Sequence, residues 1–524
     1  MDKRTWVAIG LSVLILLGWQ KFVLEKYQHQ QLPDVAVQTV SAPAASGTAR
    51  DGQKMPAITA GAPAPKIRVA PSIPVSTRHG ELLIGNGAKV FEKWSYQPQE
   101  GAAPKDGGIE MSTLVGDLPQ VELAVDAADY ADFGTITGST ARRSENEFQW
   151  TADTAAARLV RDIRVYPKEG FADVTFTAQF KKTRPSHAFI SLVSSTTTSA
   201  EKQDHKFIYF AGRQHQSVQA SESVKLTDIL LPVEWIGVEN RYFMLGVVDR
   251  GGNARGLLQP LAGGQNRVSL VYPVSAETMV IPVRVYFGPK SVDLLRAAHP
   301  SLDHAVDFGW LTPLAYMILH FMKWLFSFLG NYGVAIIVLT IVLKILLYPL
   351  TYKSMKSMKK MSVIQPQLQK LRERYKDDKE ALNREMLQLM RTQGYNPVAG
   401  CLPMLIQMPV FFALYRVLYS SFELYRSPFA LWIHDLSIHD PWYVTPVLLT
   451  GVMYLQQKLT PTAATDPAQQ KMLQWMPVIF GIFMLGLPAG LTIYMLTNAV
   501  VSIVQQLILN KKLGIQTAHA ARAG

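Results

Sequence analysis

Lys344 stands in a run, Val334 to Leu350, whose neighbours are almost all aliphatic. A lysine near the middle of an apolar helix costs about 2.5–3.5 kcal/mol on insertion scales. Its stem must then snorkel to a boundary, or its amine must face a wet cavity. Other polar residues inside apolar runs favour the cavity. Thr340 lies one turn earlier on the same face, and Gln407 falls within the next apolar run. Asn498, Ser502 and Gln505 recur at i, i+4 and i+7 of the last run, which makes one polar stripe on a helix. Any one of these side chains would serve as an ordinary interhelical hydrogen bond. Together they describe a hydrophilic chamber with a fixed cation, suited to attracting acidic segments and replacing water that a polar segment loses.

Two further patterns accompany the polar stripe. Met404, Met408, Pro409, Phe411 and Phe412 mark one apolar run; Met476, Phe480, Phe483 and Met484 mark another. Helix packing accounts for each of them singly, whereas a Met-rich face repacks easily around varied apolar partners. Between Thr351 and Asn396 lie eleven basic residues, among them Lys356, Lys359, Lys360, Arg372 and Arg374. Leu368, Leu371 and Tyr375 follow Pro366 at helical spacing, Asp377-Asp378 makes a turn, and Leu382, Met386 and Leu389 repeat the pattern. This predicts a helical hairpin over 352–395 with a charged exterior, either a solvated face or a dock for an anionic partner such as a ribosome. There is no Walker-type phosphate loop, no Gly-x-Ser-x-Gly elbow and no His-Glu-x-x-His, and the eleven histidines show no metal spacing. The expectation is a protein that is not an enzyme, with no cofactor and no metal.

The elements that must position these residues follow from hydropathy and charge. The 524 residues are 48% hydrophobic and 18% charged, with a net charge of +12. The charged share is below the roughly 25% of soluble domains, while the mean hydropathy of +0.09 is too low for a chain that is all membrane. A single cysteine, Cys401, excludes a disulfide framework and a multi-cysteine zinc site. Lys3 and Arg4 precede an apolar run from Trp6 to Trp19, and Gln20-Lys21 follows where a cleavage site of small residues would stand, so 1–27 reads as an uncleaved signal anchor. Residues 28–75, rich in Pro, Ala, Gly and Ser, read as a disordered linker.

From 76 to 300 the chain reads as β. Val174, Phe176, Ala178 and Phe180 alternate with polar residues, and Ile281, Val283, Val285 and Phe287 alternate with Pro282, Arg284 and Tyr286. Gly-Gly pairs at 107–108, 251–252 and 263–264 punctuate the runs. An antiparallel β-sandwich follows. Residues 301–330 predict an interfacial amphipathic helix, with Trp310, Tyr316, His320, Lys323 and Trp324 spread along its apolar part. Residues 331–512 supply the spans Val334–Leu350, Pro403–Ser420, Trp442–Leu459, Met472–Leu487 and Leu491–Leu509, each near the roughly 20 residues a bilayer requires. Residues 513–524 are a short tail. Residues 421–441 hold one basic residue, Arg426, against the eleven of the earlier loop. The positive-inside rule therefore places that earlier loop in the cytoplasm and the β domain outside. The expected architecture is a polytopic helical membrane core of six spans including the anchor, both termini inside, with an extracytoplasmic antiparallel domain. A solute transporter or channel would use the same intramembrane lysine.

The stretch from about Asp307 to Asn510 resembles the YidC/Oxa/Alb membrane protein insertases. The matching residues are Tyr348-Pro349-Leu350-Thr351, Asn396-Pro397, Gly400-Cys401-Leu402-Pro403 and Gln407-Met408-Pro409. They continue through Phe429 to Leu436, Asp440-Pro441, Met476 to Phe480 and Pro488-Ala489-Gly490-Leu491. The anchor, linker and outer domain resemble the Gram-negative arrangement. The resemblance implies a groove open to cytoplasm and lipid, with its charge on Lys344, where many bacterial members have Arg. It also implies substrate contacts at the Met408–Phe412 and Phe480–Met484 regions, and an outer domain of the β supersandwich kind. Its expected location is the bacterial inner membrane. Its expected partners are nascent membrane proteins, the Sec translocon with its accessory subunits, the ribosome and signal recognition particle machinery, and membrane lipids. Met495 stands where some members have a second Tyr after Tyr494.

Overall fold

The computed structural model describes residues 72–513 apart from 79, 88, 97–108, 111–119, 127–132, 134–135, 196–204, 220–225, 262–264, 376–377, 393–396 and 460–466. The expected anchor, the linker up to residue 71 and two of the three Gly-Gly pairs lie outside the described residues. The chain divides into two compact units, Met1–Val306 and Asp307–Gly524, each described by itself.

The first unit is built on three antiparallel sheets. A four-stranded sheet has the order β1 (Ile73–Thr77), β2 (Gly80–Ile84), β3 (Lys93–Tyr96), β4 (Ile109–Glu110). A five-stranded sheet runs β13 (Thr227–Ile229), β16 (Arg255–Pro260), β17 (Gln265–Pro273), β10 (His187–Ser195), β5 (Gln120–Val125). The third sheet has nine strands. Its order is β12 (Gln214–Gln219), β11 (Lys206–Ala211), β14 (Val233–Glu239), β15 (Phe243–Asp249), β18 (Thr278–Pro289), β9 (Phe171–Phe180), β8 (Ala157–Tyr166), β7 (Glu147–Asp153), β6 (Ser139–Arg142). The period-two reading places its residues well. Val174, Phe176, Ala178 and Phe180 are buried on β9, and their partners on β18 include Val283 opposite Val174 and Ile281 opposite Phe176. One expectation fails at the end of β18. Tyr286, assigned to the polar face, is fully buried with its hydroxyl donating to the Pro289 carbonyl. A tyrosine can be buried on either face of a strand once its one polar atom finds an acceptor. Strand β14 lies against β10, β16 and β17, so the nine- and five-stranded sheets pack face to face, with Val233 of β14 against Gly256 of β16. A short helix, α1 (Val292–Ala298), and a 3-10 turn, Pro300–Ala305, close the unit.

The second unit is helical. Helix α2 (Thr312–Leu329) ends at Gly330, whose left-handed φ of 62° suits a residue without Cβ. Asn331 then caps α3 (Tyr332–Leu346) by accepting from the Val334 amide. After it come α4 (Tyr348–Arg374), α5 (Lys379–Thr392), α6 (Pro397–Ser420), α7 (Val444–Leu459), α8 (Pro467–Met484) and α9 (Ala489–Leu513). The apolar run expected to span straight from Val334 to Leu350 is broken. Helices α3 and α4 meet at Leu347 with a bend of 56°. Pro349 carries no N–H for the carbonyl four residues earlier, and its ring crowds the preceding backbone. Helix α4 continues through Pro366. The basic hairpin forms from α4 and α5, with Asp378 capping α5 through the Glu380 and Ala381 amides. By length and composition, the segment Ala489–Lys511 of α9 is long and apolar enough to cross a membrane, as is the bent pair α3–α4 taken together.

Candidate functional site

Helix α9 carries the site. Its residues Tyr494, Asn498, Ser502 and Gln505 advance by four, four and three positions, so they occupy one face. Lys344, in the last turn of α3, meets this stripe. Its Nζ donates to Ser502 Oγ at 2.7 Å, and Gln505 Nε2 donates to the Lys344 carbonyl at 3.1 Å. Ser502 Oγ in turn donates to the Asn498 carbonyl at 2.6 Å. The bend at Leu347 places Lys344 at a helix end rather than midway along a straight span. Carbonyls that a helix end leaves without amide partners favour a cation there.

The ammonium has three donors, and Ser502 receives one. Among the described residues no carboxylate lies within salt-bridge distance of it. Lys344 as a residue is half-buried. The buried Asn498 Oδ1 has no hydrogen-bond partner among the described residues. A fixed cation with donors to spare, beside an unused amide acceptor, can hold an incoming carboxylate or peptide group.

The other expected groove residues divide. Gln407 Nε2 on α6 donates to the Tyr494 hydroxyl at 2.9 Å, so it joins the same stripe one turn beyond Asn498 rather than reaching Lys344. Thr340 is buried and its hydroxyl donates to the Ile336 carbonyl of its own helix at 2.6 Å, which leaves it outside the polar cluster. Sequence reasoning missed Tyr494 as a member. The signal was present: it sits four residues before Asn498.

The apolar residues expected to contact substrate also separate. Met408, Phe412, Met476 and Phe483 are exposed, while Pro409 and Phe411 are half-buried, Phe411 ring to ring with Phe412 and Tyr494. Met484 is buried with Leu449 and Ala499, and Phe480 packs against that cluster, so these two hold α7, α8 and α9 together. The side chain of Met404 lies outside the described residues, as do those of Lys356, Lys359, Lys360 and Arg372; Arg374 is exposed on α4.

Residues 421–441 close one end of the bundle. Asp440 accepts from Trp432 Nε1 at 3.0 Å, from the Trp442 amide at 3.0 Å, and from the Thr445 amide and hydroxyl at 2.8 Å each. Burial alone would raise this carboxyl; the four hydrogen bonds outweigh it and hold Asp440 below the ordinary carboxylate range. Thr445 shares its hydroxyl with Thr492 of α9 at 3.1 Å. The amides of Ala489 and Gly490 donate to the carbonyls of Ile438 and Leu436. Phe429 covers Gly333, where a Cβ would overlap its ring at 2.0 Å. The motif residues in this loop are thus accounted for by structure. Asp435 binds the Ser437 amide and hydroxyl, and the neighbouring His434 has no nucleophile to serve.

A helical unit with an apolar exterior and one polar stripe, joined to a separate antiparallel β unit, defines a membrane protein with an appended soluble domain. Comparison narrows this class. The family description "60Kd inner membrane protein" matches residues 324–516, and "YidC periplasmic domain" matches residues 172–321. The membrane protein insertase YidC of Geotalea daltonii is 32% identical over 549 residues, covering 98% of this chain and 100% of that one. Its counterpart in Geobacter metallireducens is 44% identical over 289 residues; the match spans about half the length of that relative, 54%, and 54% of this chain. A crystal structure of an active YidC insertase with its first transmembrane domain resolved aligns over 84% of this chain and 93% of that chain, with 20% identity and a TM-score of 0.36. The chain belongs to the YidC/Oxa/Alb family of membrane protein insertases. Within it, the chain is similar to the members that carry a periplasmic domain.

Proposed function

We propose that this protein inserts nascent proteins into the bacterial inner membrane and helps them fold, alone or with the Sec translocon, without an enzymatic step. The observation that carries the reading is the Lys344 ammonium, which donates to Ser502 on the polar stripe of α9 and has no carboxylate partner among the described residues. In this reading the helical unit is a core of five spans, which with the N-terminal anchor makes six. Both termini and the basic hairpin face the cytoplasm, the β unit is an extracytoplasmic supersandwich, and the ribosome and targeting machinery dock at the hairpin. The polar outer segment of a substrate enters the groove, where Lys344 attracts its carboxylates and Asn498, Ser502 and Gln505 replace lost water. Its apolar segment passes over Met408, Phe412, Met476 and Phe483 into lipid. Burial of the substrate's own apolar area releases roughly 25 cal/mol per Å², so a span needs no nucleotide. The membrane potential contributes about 2.3 kcal/mol per elementary charge per 100 mV for acidic segments moving outward.

The test is insertion into proteoliposomes of substrates with acidic or neutral outer segments. Lys344→Arg retains insertion, and Lys344→Glu impairs the acidic substrates selectively. Equal activity of all three proteins removes the electrostatic step. Photocrosslinkers at Met408 and Phe483 should capture many unrelated stalled chains; a single saturable solute would point to a transporter instead.

A further inference from the structure

The loop 421–443 does more than close the bundle. Leu431 is 80% exposed and Trp442 68%, and Ile438 and Tyr443 are exposed beside them. Leu431 and Tyr443 both adopt left-handed backbone, with φ of 56° and 55°, a conformation side chains of this size rarely take. A soluble loop would place glycine or asparagine at such positions and turn its apolar residues inward. Here the inward contacts are made by Ile433 and Leu436, which are buried, and by Asp440 through its four hydrogen bonds. The outward positions carry the larger apolar side chains.

The Trp442 ring stacks on Trp432 at 5.5 Å and 13°, and Trp432 is fixed by its bond to Asp440. The exposed rings are therefore held rigidly. Apolar side chains are exposed again in the first turn of α7, at Val447 and Leu448. Those residues lie on the exposed face of a helix that, in the reading above, meets lipid.

We propose that this crown is a lipid-binding surface. Leu431, Ile438, Trp442 and Tyr443 seat in the interfacial layer of the extracytoplasmic leaflet, with indole and phenol at headgroup level and the aliphatic side chains below. Apolar area set against acyl chains, with amphipathic rings at the boundary, is the chemistry that such an interface recognises. The proposal rests on the membrane assignment of the helical unit, and the experiment separates the two.

The single cysteine makes the measurement direct. In the full chain carrying Cys401→Ser, single cysteines at Leu431, Ile438, Val504 and Arg384 are spin-labelled and the proteins placed in phosphatidylethanolamine/phosphatidylglycerol vesicles. Collisions with oxygen, which partitions into lipid, are compared with collisions with a water-soluble nickel chelate. Labels at 431 and 438 are expected to shift toward oxygen, close to the label on the exposed α9 face at 504 and away from the label at 384. If 504 reports lipid while 431 and 438 collide with chelate as freely as 384, the crown is a solvated loop and the proposal is overturned. Labels at 431 and 438 that are immobile and shielded from both reagents place protein over the crown and overturn it equally. If 504 also reports water, the membrane assignment falls with it.

Discussion

At the scale of single residues, the pairing of Lys344 with Ser502 sets the cost of holding a cation between α3 and α9. A hydrogen bond to a charged group contributes about 1.5–3 kcal/mol, and half-burial of the lysine places this one at the lower end. Ser502→Ala should lower stability by about 1.5 kcal/mol in detergent unfolding yet retain insertion of acidic substrates, because the ammonium remains. Loss of both together would show that Ser502, rather than the charge, acts on substrate. Asp440 offers a test by pH. Its folded pKa lies below the unfolded value of about 3.9, so its stabilisation is complete above that value and is lost as pH falls through the folded value. Hydrogen exchange across residues 421–443 should therefore accelerate in the native chain as pH falls below about 3.9. In Asp440→Asn the loop should be loosened already at neutral pH and lack that acid step. The meeting of Lys344 with the polar stripe at Ser502 was legible from residue types and spacing. That of Asp440 with its four donors was not, since they come from Trp432, Trp442 and Thr445, whose convergence depends on the loop's path.

At the scale of elements, close approach of α7 and α8 depends on Gly481. A Cβ there would lie 1.9 Å from Thr450 Oγ1, so Gly481→Ala must part the two helices or turn the threonine. Overpacking of this kind costs about 1–3 kcal/mol, and the loss should shrink in a Thr450→Ala background if the clash is its cause; thermal unfolding of the single and double variants measures both. The same scale shows what pattern reading captures and what it misses. Alternation located β9 and β18, because a sheet packed on one face forces period two. Apolar counting ran straight across Tyr348-Pro349, because hydropathy registers burial and not the missing amide of proline; the rule for residues before proline would have placed the bend. Helix α2 buries Ala315, Ile318, Leu319, Met322 and Leu325, but Met317, Trp324 and Phe328 stand exposed on its other side. Only packing reveals which apolar face is inward.

At the scale of the whole molecule, the two units hold different kinds of core. The β unit buries aromatic and branched residues from three sheets, including Trp235, Phe148, Phe189, Phe207 and Phe243, and needs no disulfide to do so. Among the described residues its large exposed hydrophobics are Leu226, Leu230, Leu231 and Val280, whereas the helical unit exposes more than twenty. Apolar exposure on that scale is costly in water and neutral in lipid. The β unit should accordingly fold alone: residues 72–306 expressed without the helices should be soluble and melt in one cooperative transition. The polar residues Lys344, Gln407, Tyr494, Asn498, Ser502 and Gln505 all belong to the helical unit. A chain lacking residues 76–300 should then still crosslink to nascent chains from Met408 and Phe483, at most severalfold below the intact protein when the two are compared at equal abundance in the membrane. If crosslinks vanish while the 72–306 fragment melts cooperatively and the shortened chain remains abundant, insertion requires the β unit itself. The helical groove would then be a passage that the outer domain controls rather than the whole of the machinery.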